Sequence, residues 1–175
     1  MSLLKKPCVI TVSGVGNRGK TTALLELIKL YVNPQPVNNV KPVYKVYEYV
    51  YSSKTNSFKT IPPLSKKRGK DRLVYVEFPN GGIRCGISTG GDVDTYVARN
   101  LAFLESIHIN GKKGCDFYIT ATHGANSKTF DAARKFALSM NKSSVSGCEF
   151  LPIAKAGGFT HYDNDFHNFL FSLIK

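Results

Sequence analysis

Between Gly14 and Thr21 the chain reads Gly-Val-Gly-Asn-Arg-Gly-Lys-Thr and fills every fixed position of the pattern G-x-x-x-x-G-K-[ST]. Each fixed residue type serves the binding of a polyphosphate. Gly14, Gly16 and Gly19 let backbone N–H groups turn inward on phosphate oxygens, and the helix that follows adds the positive end of its dipole. Lys20 can reach the β and γ phosphates, and the Thr21 hydroxyl can ligate Mg²⁺. Asn17, Arg18 and Thr22 complete the set of candidate nucleotide contacts.

Such a loop works only where a strand delivers it and a helix takes over. Cys8 to Val12 is a β-branched apolar run, and Leu24, Leu27, Ile28 and Tyr31 fall at helical spacing within Thr21 to Val32, which Asn33-Pro34 and Pro36 end. Val43 to Ser52 alternates aromatic and β-branched residues. Arg72 to Phe78 and Ile83 to Thr89 flank Pro79-Asn80-Gly81-Gly82 as a hairpin, so the spacing predicts an antiparallel insert over residues 43–89. Val93 to Ile107 carries a helical stripe of Val93, Tyr96, Val97, Leu101 and Leu104, with Asp92 or Asp94 as its cap. Cys115 to Thr122 reads as a strand. Ser127 to Met140 follows as a helix with Phe130, Ala133, Ala137 and Met140 on one face, then Cys148 to Ala154 as a strand, and Thr160 to Ile174 as a helix opened by Thr160-x-x-Asp163. Three βα units around an antiparallel insert predict one α/β domain over residues 1–175.

Through residues 8 to 32 the sequence resembles the P-loop NTPase superfamily. The resemblance implies a three-layer α/β/α P-loop fold with a mainly parallel sheet, a nucleoside triphosphate as ligand, and Mg²⁺. It also implies a carboxylate at the tip of a second strand that holds the metal through water. Asp92, after Ile83 to Thr89 and a Gly-Gly turn, is the first choice; Glu77, after Leu73 to Val76, is the second; Asp116 would sit at the wrong end of its strand. Asp92 has the alternative role of a plain helix cap.

Strand register extends the candidate set. If Cys8, Cys115 and Cys148 begin parallel strands, counting six residues forward brings Gly14, Ala121 and Ala154 to the edge where ligands bind in open α/β sheets. Thr120, Thr122, His123 and Lys155 then stand near the phosphates. Thr122 or His123 could sense the γ phosphate or position water; the alternative for His123 is a residue that closes a turn. Arg18, Arg99 and Arg134 are candidates for the positive charge that phosphoryl transfer gains from an arginine.

Charge points the same way. The chain of 175 residues carries a formal net charge of +12, and half of it lies between Lys54 and Arg72, read as one basic loop. Within it Lys66, Lys67, Arg68 and Lys70 are candidates for contact with nucleic acid or an acidic protein partner, and the nearby Tyr44, Tyr47, Tyr49 and Tyr51 either stack on bases or pack on the sheet. Four dispersed cysteines, Cys8, Cys85, Cys115 and Cys148, without paired metal spacing, fit a reducing, cytoplasmic location, and no apolar run is long enough to span a membrane. Residues 121–128 read ATHGANSK rather than the Asn-Lys-x-Asp expected for guanine, which favours ATP and leaves GTP as the alternative. The expected activity is Mg²⁺-dependent ATP hydrolysis. The alternatives are a small-molecule or nucleotide kinase and a nucleotide-gated nucleic-acid-binding module.

Overall fold

The computed structural model describes residues 7–14, 19–36, 39–64, 71–79, 82–143, 147–154 and 166–174. In chain order these form β1 (Cys8–Ser13), α1 (Lys20–Val32), β2 (Lys45–Ser52), β3 (Ser57–Ile61), β4 (Leu73–Glu77), β5 (Arg84–Ser88), α2 (Asp94–Ser106), β6 (His108–Ile109), β7 (Lys112–Lys113), β8 (Phe117–Thr122), α3 (Lys128–Ser143), β9 (Glu149–Ala154) and α4 (Phe166–Ile174). Seven strands make one sheet in the order β3-β2-β4-β5-β8-β1-β9, and β6 and β7 form a separate ribbon around Asn110-Gly111.

The apolar pattern explains the layering. β1 is buried along its whole length, as a central strand covered on both faces must be. Cys8, Ile10 and Val12 point to one face, where Leu24, Leu27, Ile28 and Tyr31 of α1 and Leu170 and Ile174 of α4 close a core. Val9 points to the other face, with Val97, Leu101 and Leu104 of α2 and Ala133, Ala137 and Met140 of α3. Helices therefore cover both faces of a mixed sheet, the α/β class anticipated from the sequence.

The sheet is less parallel than expected. β5–β8, β8–β1 and β1–β9 pair parallel, but β2–β3, β2–β4 and β4–β5 pair antiparallel. The additional strand is β3, which lies inside the stretch read as a basic loop over residues 54–72. Its serine, lysine and threonine sit on the outermost strand, so it lacks the apolar run that announces a buried strand. The expected register shifts as well. Cys8 pairs with Phe117 and Glu149, not with Cys115 and Cys148, and Ser13 stands level with Thr122 and Ala154. Ala121 is therefore level with Val12, not Gly14.

Two polar residues in the strands owe their places to partners that the sequence pattern does not show. Arg84, which makes β5 look less apolar, donates to Asp116, with Nη2 3.1 Å from Oδ1. Asp116 thus closes the end of β8 remote from Gly14. Glu48 of β2 is 1% exposed and accepts hydrogen bonds from Arg72 Nη1 and the Leu64 N–H, each at 2.7 Å. Arg72 therefore leaves the basic patch to which the sequence assigned it. The tyrosines in and before β2 pack rather than project: Tyr49 meets Phe103 of α2 edge-on with centroids 4.9 Å apart, and Tyr44 meets Tyr31 at 5.1 Å.

The helix ends also differ from expectation. α2 begins after Val93 with no side-chain cap, and its buried stripe is Val97, Leu101 and Leu104, while Val93 and Tyr96 are exposed. The proposed opening of the last helix at Thr160 and Asp163 lies outside the described residues, as do Gly157 and Gly158. No helix among the described residues is long and apolar enough to cross a membrane.

The Glu48–Arg72 pair is buried, so breaking it should be costly: Glu48→Ala is expected to lower unfolding free energy by about 3–5 kcal/mol. Glu26→Ala, which removes the exposed pair with Lys29, should cost less than about 1 kcal/mol. Parallel urea denaturation of both variants measures the contrast, and equal losses would show that the pair does not hold the insert.

Candidate functional site

The carboxyl ends of β1, β5 and β8 and the start of α1 converge at one edge of the sheet. Gly14 leaves β1 there, its N–H donating to the Thr122 carbonyl at 3.3 Å. Across the loop, Gly19 is the N-cap of α1 at φ 76, a left-handed conformation that disfavours any side chain. Having no side chain, Gly19 itself supplies no capping oxygen to the first turn. Gly16, Asn17 and Arg18 lie outside the described residues.

Lys20, on the first turn, is 6% exposed and donates from Nζ to the Gly14 carbonyl at 2.8 Å. The ammonium is thus held over the point where strand becomes loop. Burial lowers its pKa from the ordinary lysine value, and the Asp92 charge partly opposes that. Thr21 turns its hydroxyl toward the Thr89 carbonyl, a long contact of 3.5 Å that links α1 to the end of β5. Thr22 is exposed.

A layer of hydroxyls lies beneath the loop. Ser13 and Thr122 share a hydrogen bond of 2.8 Å, and Ser13 also donates to Thr11 at 3.2 Å. All three are buried, as is Thr120. Thr122 is thus engaged with β1, and Thr120 lies a further step down the strand, level with Thr11. His123, by contrast, reaches the edge. Its backbone N–H donates to Thr129 Oγ1 at 2.9 Å, and its Nε2 lies 3.5 Å from Asp92 Oδ1.

Asp92 and His123 meet because of Gly91. A side chain at Gly91 would drive its Cβ into the Ala121 carbonyl of β8, so the chain after β5 can lie flat on its neighbour only with glycine there. The same segment brings Asp71 into the site: its carboxyl carbon lies 3.3 Å from where a Gly90 Cβ would be. Burial, followed by the nearby Asp92 charge, raises the Asp71 pKa above the usual carboxylate value. Asp71 was not anticipated as a site residue, because in sequence it is the single acid in a basic run.

Other candidates are placed apart from this edge. Glu77 ends β4, which runs antiparallel to β5; it pairs with Arg84 at the opposite edge and accepts from Asn110 Nδ2 at 2.9 Å, so it is no second-choice metal carboxylate. Arg134 pairs with Asp131 on the outer face of α3. Arg99 lies in a cleft beside the edge. Lys66, Lys67, Arg68, Lys70 and Lys155 fall outside the described residues. Among the described residues no three or more His, Cys, Asp or Glu side chains gather as a metal cluster, and Thr21 and Asp92 are the oxygen donors that the edge presents for a cation retaining several waters.

Comparison with known proteins returns no matching family model, no matching curated protein and no matching solved structure.

Gly91→Ala tests the close approach that assembles this edge. The backbone carbonyl cannot move aside as a side chain would, so the substitution is expected to cost about 1–3 kcal/mol or more by overpacking. Ser→Ala at the exposed position 139 of α3 should stay within about 0.5 kcal/mol. Thermal melts of the two variants read the difference, and an unchanged Gly91→Ala midpoint would contradict the packing.

Proposed function

We propose that the chain is an Mg²⁺-dependent P-loop NTPase that binds ATP and transfers its γ phosphate to water. The observation that carries this reading is the Lys20 ammonium, folded back 2.8 Å from the Gly14 carbonyl at the uncapped start of α1. A buried cation at the positive end of a helix dipole is suited to a polyphosphate and poorly suited to an apolar ligand. Thr21 and Asp92, both hard oxygen donors at this edge, fit Mg²⁺, which supplies charge neutralisation between the β and γ phosphates when bound. In this reading Gly14 to Gly19 wraps the phosphates and Lys20 holds the β and γ oxygens. Asp92, 3.5 Å from Nε2, faces the His123 imidazole, whose other nitrogen can orient the attacking water. ATP is favoured over GTP because Ala121 to Lys128 lacks the guanine signature. The four free cysteines, all buried, are compatible with a cytoplasmic protein.

A second reading, transfer to a small-molecule hydroxyl, is favoured by Asp71. This carboxyl sits at the junction between the phosphate edge and a neighbouring cleft, and its raised pKa suits a group that takes a proton. In such a transfer the acceptor oxygen bonds to the γ phosphorus, the bond to the β–γ bridging oxygen breaks, and ADP leaves with the electron pair.

Thermal stabilisation by ATP, GTP, their diphosphates and a non-hydrolysable analogue, each with Mg²⁺, tests nucleotide binding. At about 100 times the dissociation constant a ligand should stabilise the wild type by about 2.7 kcal/mol. Lys20→Ala should remove that gain, and a flat response of the wild type to every nucleotide would overturn the reading. The pH dependence has a defined sign. Lys20 loses its proton at a pH below the usual lysine value, so triphosphate affinity should fall as pH rises through that lowered pKa. Lys20→Arg, charged throughout, should flatten this decline in a titration of affinity against pH.

A further inference from the structure

Beside the phosphate edge, between the β2–β3 hairpin and α2, lies a cavity of about 340 Å³ whose lining includes Tyr51, Asp71, Gly90, Tyr96, Arg99 and Asn100. Its size is near the lower end of small-molecule pockets. Of the described arginines, Arg72, Arg84 and Arg134 each pair with a carboxylate. Arg99 makes no ion pair or hydrogen bond with a described residue. Its guanidinium carbon instead lies 3.6 Å from the Tyr51 ring centroid and 4.6 Å from that of Tyr96. The buried Arg99 Nε has no hydrogen-bond partner among the described residues.

Such a placement has a physical consequence. Ring stacking fixes the plane of the guanidinium and reduces its hydration while leaving its charge unneutralised. A buried donor without an acceptor is costly, and a planar fork matches a carboxylate or phosphate in two parallel hydrogen bonds. Polar groups line part of the remaining wall, beside Val50, Phe58 and Leu73. Asn100 Nδ2 donates to Ser88 Oγ at 3.0 Å, and Asp71 lies against Gly90. Gly90 follows Thr89, whose carbonyl faces the Thr21 hydroxyl. Cleft and phosphate edge therefore share one wall.

We propose that this cleft binds a small organic anion, a carboxylate or phosphate that also carries a hydroxyl, with Arg99 receiving the anionic group and Asp71 facing the hydroxyl. In naming that anion as a second substrate, the inference rests on the nucleotide reading; the binding site itself stands on Arg99 and the cleft. The aromatic rings orient the arginine rather than stack on the ligand, because the Tyr51 face is covered by the guanidinium and Phe58 stacks on Phe103 at 3.9 Å.

The test follows the Arg99 Nε–H resonance of the ¹⁵N-labelled full chain while glycerol 3-phosphate, glycerate or neutral glycerol is added. One of the two anions should shift it, the choice between them distinguishing phosphate from carboxylate, and glycerol should not. Arg99→Lys, which keeps the charge and loses the fork, should weaken that anion by about tenfold or more. Lys20→Ala should leave its affinity within about twofold, as for separate sites. Absence of a shift with both anions, or equal affinity in Arg99→Lys, overturns the proposal. A shift lost in Lys20→Ala and kept in Arg99→Lys places the anion on the phosphate loop and overturns it too. Anion binding at Arg99 without any stabilisation by nucleotides would defeat the nucleotide reading and leave the cleft standing; the converse result would do the opposite.

Discussion

The close contact between the segment after β5 and the backbone of β8 governs the arrangement of every group at the ligand edge. Gly91 lies on the Ala121 carbonyl, with no room for a Cβ between them. From that contact follow the approach of Asp92 to His123, the reach of Thr21 to Thr89, and the seating of Asp71 against Gly90. Three elements remote in sequence, α1, β5 and β8, thus deliver polar groups to one place. The parallel register of β1 with β8 holds the third side of the frame, because Ser13 and Thr122 are level and share a hydrogen bond. A slip of one residue would turn these hydroxyls to the opposite face and remove the bond.

Local pattern made α1 and the main strands legible in the sequence. Leu24, Leu27, Ile28 and Tyr31 bury together because helical spacing alone fixes their common face. Register between strands was not legible. Counting from Cys8, Cys115 and Cys148 assumed that each cysteine begins a strand at the same level, whereas β8 pairs from Phe117 and β9 from Glu149. Cys115 precedes β8, with its N–H donating to the Tyr118 hydroxyl at 2.9 Å, so it belongs to the turn rather than the ladder. Asp71 was obscure for a related reason: it has no local signal, and it meets Gly90, a residue distant in sequence.

Charge shows the same dependence on tertiary partners. The sequence between Lys54 and Arg72 sums to a strongly basic segment, yet its last arginine is held by Glu48 from the neighbouring strand. Two charges are thereby removed from water, and their desolvation is offset by the ion pair and by the Leu64 N–H on the second carboxylate oxygen. Lys59 lies exposed on the edge strand. A lysine there also discourages the unpaired edge of β3 from joining another sheet. The basic run is therefore several environments, and only its solvated part can act on a polyanion.

Lys20 and Arg99 put two cations beside one edge, and their surroundings separate their tasks. Lys20 touches a backbone carbonyl and lies near Asp92, so its charge is partly balanced and its burial limits the pH range over which it stays protonated. Among the described residues Arg99 is met by ring faces, which attract a cation without supplying a hydrogen-bond acceptor. A compact ammonium on a flexible stem can follow the oxygens of a polyphosphate, while a stacked guanidinium has a fixed plane and selects by geometry. The Thr89–Gly90 wall keeps the two apart, with Asp71 and Asp92 near it as negative charges that limit repulsion between the cations. An edge built in this way can hold two anions side by side, and the distance between them is then set by the glycines that bring β5 against β8.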